Sequence, residues 1–196
     1  MINIAPNTPL VYVSFSAEII PNTTEALIGI MVECANKNVQ KVNLLISSPG
    51  GAVMNGFNLY NVLKGMPFEL TTHNVGNVDS IGNVIFLSGK IRYACPNATF
   101  MFHGAGFNSR PNERLEQKNL EEKLNNLLSD QKRIGHVIVQ HSTLKAKQVS
   151  LLFKQAVTKN AEYALNSGII HEIRDVNIPT GCPVVSLIFQ RQSVQV

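Results

Sequence analysis

The sequence predicts an α/β domain built on a mainly parallel sheet. Three observations carry that expectation. Short runs rich in β-formers alternate with amphipathic helix patterns along the chain, with no internal repeat and no low-complexity linker. Residues 42–46 (VNLLI) form a short apolar run bounded by polar turns, as a buried parallel strand does. Two glycine-bearing turns, at 47–51 and 76–82, each leave a strand pattern and enter a helix pattern.

The elements follow in order. Residues 10–15 (LVYVSF), after Pro9, read as a strand. Asn22 then caps a helix, with Glu25 completing a capping box; Leu27, Ile28, Met31 and Val32 lie at helical spacing, and the helix runs to about Lys37. After the strand at 42–46 and the turn Ser47-Ser48-Pro49-Gly50-Gly51, a second helix carries Val53, Phe57, Tyr60 and Leu63 on one face. Residues 68–75 are a strand, and 76–82 turn into an apolar helix at 83–87. Strands at 91–94 and 99–102 flank Pro96-Asn97. The longest helical pattern, 113–141, carries Leu115, Leu120, Leu124, Leu127, Leu128, Ile134 and Ile138. Helices at 145–153 and 161–167 follow, the second stopped by Gly168, and a strand at 184–189 closes the chain.

Bulk properties narrow the function classes. A length of 196 residues suits one domain over 1–196 with a core that needs no disulfide or metal staple. Apolar residues make up 44% and charged residues 15%, a globular composition. The net charge of +4 comes from scattered Lys and Arg with no run of four, which argues against nucleic acid or an anionic membrane as partner. Cys34, Cys95 and Cys182 are far apart with no CxxC, so they form neither a disulfide framework nor a zinc site, and free thiols indicate a reducing cytoplasm. No run of 18 apolar residues exists, and the first residues lack the charged segment of a secretion signal. A cytoplasmic protein that does not enter membranes is expected.

The two glycine turns should border one crevice, because sites in α/β sheets sit outside the carboxyl ends of the strands. Gly50 and Gly51 let a backbone N–H approach a substrate oxygen, and Ser80 stands where the next helix begins, with unpaired N–H groups that favour an oxyanion. His103 follows the strand at 99–102, ahead of Gly104-Ala105-Gly106. Singly, each has a plainer reading: a turn, an N-cap serine, a satisfied histidine.

Together, residues 10–173 resemble the ClpP (Clp protease proteolytic subunit) family, of the ClpP/crotonase fold. The resemblance rests on three stretches. Leu45-Ile46-Ser47-Ser48-Pro49-Gly50-Gly51 is similar to that family's strand ending in Asn-Ser-Pro-Gly-Gly. Gly76-Asn77-Val78-Asp79-Ser80-Ile81-Gly82 is similar to Gly-x-x-x-Ser-Met-Gly, with Ile81 for the Met, and Pro96 to His103 is similar to Pro-Asn-x-x-x-Met-Ile-His, with Phe102 for the Ile. The resemblance implies a spiral of β-β-α units with a long handle helix. It implies a serine endopeptidase with Ser80 as nucleophile, His103 as general base, the Gly51 and Ile81 N–H groups as oxyanion donors, and no metal or organic cofactor. It further implies peptide or unfolded-protein substrates and a homo-oligomer of stacked rings.

Three departures qualify it. Counting 12 residues back from Gly168, or forward from His141, the family's triad Asp falls on Ala156, flanked by Gln155 and Val157. Asn160 or Gln155 offers a substitute to orient His103, although Asn160 also suits a helix cap; Asp79 reads as a solvated turn residue and Glu162 as exposed. Only about nine residues precede the first strand, where the family has a longer segment that meets an ATPase ring, so a Clp-type ATPase partner stays open. The stretch from His103 to His141 is slightly longer than the family's. Low or conditional peptidase activity is therefore weighed against two alternatives: a catalytically inactive ring subunit or peptide-binding protein, and a crotonase-type acyl-CoA enzyme on the same fold.

Overall fold

The computed structural model describes residues 4–107, 114, 116–187 and 189. The chain runs β1 (Leu10–Ser16), α1 (Pro21–Asn36), β2 (Lys41–Ser48), α2 (Val53–Lys64), β3 (Glu69–Asp79), α3 (Gly82–Phe86), β4 (Ile91–Ala94), β5 (Thr99–Phe102), α4 (Gln117–Gln140), α5 (Ala146–Gln155), β6 (Val157–Asn160), α6 (Ala161–Asn166), β7 (Glu172–Ile173) and β8 (Val184–Ser186). The strands form one sheet in the order β6-β5-β3-β2-β1-β8, with β4 beside β3 and β7. Among the described residues, every strand pairing is parallel except β5–β6. The expected α/β class with a mainly parallel sheet is what the chain adopts.

β3 organises the site. Its first half, Thr71–Asn74, pairs with Ile91–Ala94 of β4, and its second half, Asn77–Asp79, pairs with Thr99–Met101 of β5. Its register against β2 slips between Ile46↔Asn74 and Ser48↔Val78, so the strand changes neighbours midway. One long strand thus delivers its carboxyl end beside β5 while still anchored to β2. Its first half is buried continuously from Leu70 to Asn74. Val78 further along belongs to one buried cluster with Phe100 and Phe102 of β5, Leu27, Ile30 and Met31 of α1, and Phe57, Leu59 and Leu63 of α2.

Several boundaries differ from expectation for local reasons. α1 begins at Pro21, not after an Asn22 cap. Proline at the first helical position gives up an N–H that has no partner there anyway. The Ile20 N–H instead donates to Thr23 Oγ1 at 3.1 Å, which replaces the expected Asn22–Glu25 box. β3 continues to Asp79 through residues expected to turn, and α3 starts at Gly82. The short polar strands β6 and β7 carry no period-2 apolar signal and went unexpected. The last strand ends at Ser186. Glu113 and Leu115, at the expected start of the long helix, lie outside the described residues, as does Ile188 in the expected last strand.

α4 is amphipathic but largely unpaired with its own domain. Its buried residues, Ile134, Val137 and Ile138, all lie in the last two turns, whereas Leu120, Leu124 and Leu128 are 47%, 54% and 54% exposed. Where it does dock, the Arg133 guanidinium stacks 4.0 Å from the Phe57 ring centroid on α2. Among the described residues, no helix is long and apolar enough to cross a membrane.

Candidate active site

Ser80 ends the β3 excursion in an unusual backbone state. Its φ is +56°, in the left-handed region, which costs a non-glycine L-residue roughly 1 kcal/mol or more. The described non-glycine residues with positive φ are Asn7, Asn38, Ser80 and Ala156. Asparagine tolerates that region and suits turns, so the strain falls on Ser80 and Ala156. The turn is held by three contacts. The Ser80 N–H donates to the Met101 carbonyl at 2.9 Å, the Asn83 N–H donates to the Ser80 carbonyl at 3.1 Å, and Asn83 Nδ2 donates to the same Ser80 carbonyl at 3.1 Å.

The two glycine turns meet as expected. A Cβ on Gly50 would sit 2.8 Å from the Asp79 carbonyl oxygen and 2.8 Å from Ser80 Cβ, so the chain after β2 lies directly against the serine turn. Gly51 forms a parallel bridge with Ile19: the Ile19 N–H donates to the Gly50 carbonyl at 2.7 Å and the Ala52 N–H to the Ile19 carbonyl at 2.8 Å. That pattern uses the groups on either side of Gly51 and leaves its own N–H unclaimed. At φ +147°, with the Ile19 backbone against the place of a Cβ, only glycine fits. Among the described residues, the Gly51 and Ile81 N–H groups have no acceptor.

β5 carries His103 to the same place. The register Asp79↔Met101 sets Ser80 one step past the last β3–β5 pair and His103 two steps past it on the neighbouring strand. On the other side β5 pairs with β6, Phe102↔Val157 being the terminal pair. The next position across from His103 is therefore Ala156, at φ +51°, where it caps the end of α5. His103's strand thus runs between the two strained residues, Ser80 and Ala156. Among the described residues no hydrogen bond joins His103 to Ser80, and His103 takes part in none of the ion pairs. Catalytic hydrogen bonds are commonly open without substrate and close in the complex.

The residues weighed as stand-ins for a triad carboxylate are accounted for individually. Asn160 caps α6, its side-chain oxygen accepting from the Tyr163 N–H at 2.9 Å, and it pairs with Thr99 at the far end of β5. Glu162 is exposed. Gln155 closes α5 beside Ala156. Asp79 is not the solvated turn residue expected. It is the half-buried last residue of β3, and Asn77 Nδ2 donates to its Oδ2 at 2.6 Å, while Ser47 Oγ donates to Asn77 Oδ1 at 2.9 Å.

Sequence reasoning missed two neighbours. Asn83 is 2% exposed and joins the serine turn to β5; its signal was a lone amide inside the apolar stretch Ile81–Leu87. Gln131 of α4 comes against Gly104, where a Cβ would lie 2.6 Å from its Nε2, and no local pattern announces that contact. Gln131 also lines a cavity of about 400 Å³ between α4 and α5, with Gly135, Val139, Val149 and Phe153. A hydroxyl on a strained turn, an imidazole on the next strand and two free backbone donors form a set suited to acyl transfer.

A family model described as Clp protease matches residues 11–177. Among solved structures, the chain is similar to a point mutant of ClpP1 from Listeria monocytogenes, with 20% identity, a TM-score of 0.73 and coverage of 84% of this chain and 91% of that one. It is likewise similar to the ClpP protease catalytic domain from Plasmodium falciparum, with 22% identity, a TM-score of 0.71 and coverage of 87% and 88%. At those identities the two structures establish the fold alone.

Proposed function

The chain belongs to the Clp protease family, and from that premise we propose that it is a serine endopeptidase in which Ser80 attacks the peptide carbonyl and His103 is the base. The family supports a serine peptidase of the ClpP type. The observation that carries the residue assignment is the β3–β5 register, which sets the strained Ser80 turn next to the strand end bearing His103.

In the first step, Ser80 Oγ forms a bond to the scissile carbonyl carbon while its proton passes to the His103 imidazole. The Gly51 and Ile81 N–H groups receive the oxyanion, and removing one such donor typically costs about 10²–10³ in turnover. The C–N bond then breaks, the imidazole protonates the leaving amine, and water hydrolyses the acyl-enzyme to regenerate Ser80. No metal or organic cofactor enters these steps. Peptides or unfolded chains are the substrate class, with the cavity beside Gln131 offering room for a side chain. Stacked rings assembled through α4 and a cytoplasmic setting complete the reading, and a Clp-type ATPase is a partner to be tested.

A second reading has one observation behind it. Ala156, across from His103, supplies no carboxylate, as in a ring subunit that binds peptides without cleaving them. A fluorophosphonate probe read by intact mass separates the two. A single adduct on the wild type that vanishes in Ser80→Ala, with loss of peptide hydrolysis in Ser80→Ala and His103→Ala, supports the peptidase. No adduct favours the binding subunit, and acyl-CoA thioester turnover without an adduct favours the crotonase-type alternative.

A further inference from the structure

We propose that Asn83 is a positioning residue for the Ser80 nucleophile: its side-chain amide clamps the serine turn to β5. The inference rests on the assignment of Ser80 as nucleophile and goes beyond it, to what holds that serine in place.

Asn83 Nδ2 donates to two carbonyls at once, Ser80 at 3.1 Å and Met101 at 2.9 Å. Those carbonyls belong to the two strands of the site: one to the nucleophile, the other to the residue two before His103. The Met101 carbonyl also accepts from the Ser80 N–H at 2.9 Å, so the amide closes a ring of contacts around the turn. The amide orientation follows from its partners, because the reversed group would aim an oxygen at two acceptors. This leaves Asn83 Oδ1 buried with no partner among the described residues.

A buried amide with an unsatisfied oxygen is a poor choice for stability, and α3 is otherwise apolar, with Val84, Ile85 and Phe86 all buried. A small apolar residue would pack there at lower cost. What the amide adds is a fixed separation between Ser80 and the β5 strand leading to His103. Ser80 needs that support, because its φ of +56° persists only if surrounding groups over-determine it.

The test compares wild type with Asn83→Ala, Asn83→Asp and Asn83→Ser. The readouts are the fluorophosphonate labelling rate of Ser80, the kcat and KM of a short fluorogenic peptide, and amide hydrogen exchange across residues 78–86. Asn83→Ala is expected to slow labelling and kcat roughly 10- to 100-fold with KM little changed, the scale of a misplaced reacting group. It is also expected to speed exchange at the Ser80 amide while residues 41–48 keep their protection. Asn83→Asp, nearly the same shape but with oxygens facing two carbonyls, should be at least as slow. Asn83→Ser, whose hydroxyl can reach one carbonyl, should recover part of the rate. A folded Asn83→Ala with wild-type labelling and exchange overturns the proposal, as does lowered thermal stability with an unchanged labelling rate per folded molecule. If wild type does not label, the nucleophile assignment falls, and the clamp is judged on the exchange readout alone: faster Ser80 exchange in Asn83→Ala upholds it, unchanged exchange overturns it.

Discussion

Ser80 and Ala156 hold backbone conformations that neither prefers, and His103 stands on the strand between them. For Ser80 the left-handed turn sits against Gly50, where a Cβ would lie 2.8 Å from Ser80 Cβ. For Ala156 the side chain gives nothing back. Asp and Asn tolerate the left-handed region better than Ala, so Ala156→Asp should meet no backbone resistance. A carboxylate there faces the register position of His103, where in the proposed mechanism it would hold one imidazole tautomer and stabilise the imidazolium. Peptide hydrolysis by Ala156→Asp is expected to rise, with the roughly 10⁴ that a triad Asp is worth as the ceiling. Only part should be recovered, because Ala156 is exposed in the single chain and the surroundings of an alanine are not built to hold a carboxylate in place. The gain belongs in kcat, and Ala156→Asn is the uncharged control. Activity that stays flat in a correctly assembled Ala156→Asp variant would mean that another group already orients His103, or that the chain does not cleave.

At the scale of elements, α4 has more apolar surface than its own domain covers. Leu120, Leu124 and Leu128 recur every four residues and make one exposed stripe ahead of the buried Ile134–Ile138 segment. A helix of 24 residues reaches about 36 Å, so its first half extends well beyond its docking point on α2. Contiguous leucine stripes of this kind mark association surfaces. Replacing all three leucines by Glu is expected to reduce the proposed ring assembly to the 21.5 kDa monomer in sedimentation velocity, with little change in the far-ultraviolet spectrum of the fold. Retention of the assembly by that triple variant would move the subunit contact to another element. Because Gln131 of the same helix abuts Gly104 beside His103, losing the assembly should also lower peptide hydrolysis.

For the whole molecule, buried cationic and titratable groups set the response to pH. Burial, with Lys64 and Arg92 adding repulsion, holds the His141 imidazole below its ordinary value of 6.5; burial also lowers His73, against a raising contribution from its hydrogen bond to the Arg174 carbonyl. A histidine whose folded pKa lies below its unfolded one leaves more protons on the unfolded chain between the two values. Stability from these groups is therefore complete above about pH 6.5 and is lost as pH falls through their lowered folded values. The midpoint of thermal unfolding should be steady between about pH 8 and 7 and decline as the pH falls below about 6.5, less so in His141→Gln. A midpoint independent of pH over that range would contradict the assignment. Arg92 behaves differently. The residue is 7% exposed, and its guanidinium donates to the carbonyls of Gly89, His141, Gly168 and Ile169, which lie just past the ends of α3, α4 and α6. The negative ends of three helices stand in for a carboxylate around this buried charge.

What the sequence by itself determined was whatever repeats over short distances. Apolar periodicity marked β1, β2, β4, β5 and the helices, because burying one face demands a pattern within a dozen residues. The motif stretches singled out Ser80 and His103, and counting from Gly168 arrived at Ala156. Only the tertiary structure decided what depends on pairing between distant segments. The polar β6 is a strand because β5 offers it hydrogen bonds, and the last residues of β3 stay extended because β5 pairs with them, though Gly76-Asn77 reads locally as a turn. The same pairing fixed which residue lies across from His103 and put Asn83 between two carbonyls 18 positions or fewer away along the chain. Such placements depend on backbone hydrogen bonds, which every residue type but proline can donate and all can accept, so the identities of the residues do not record them.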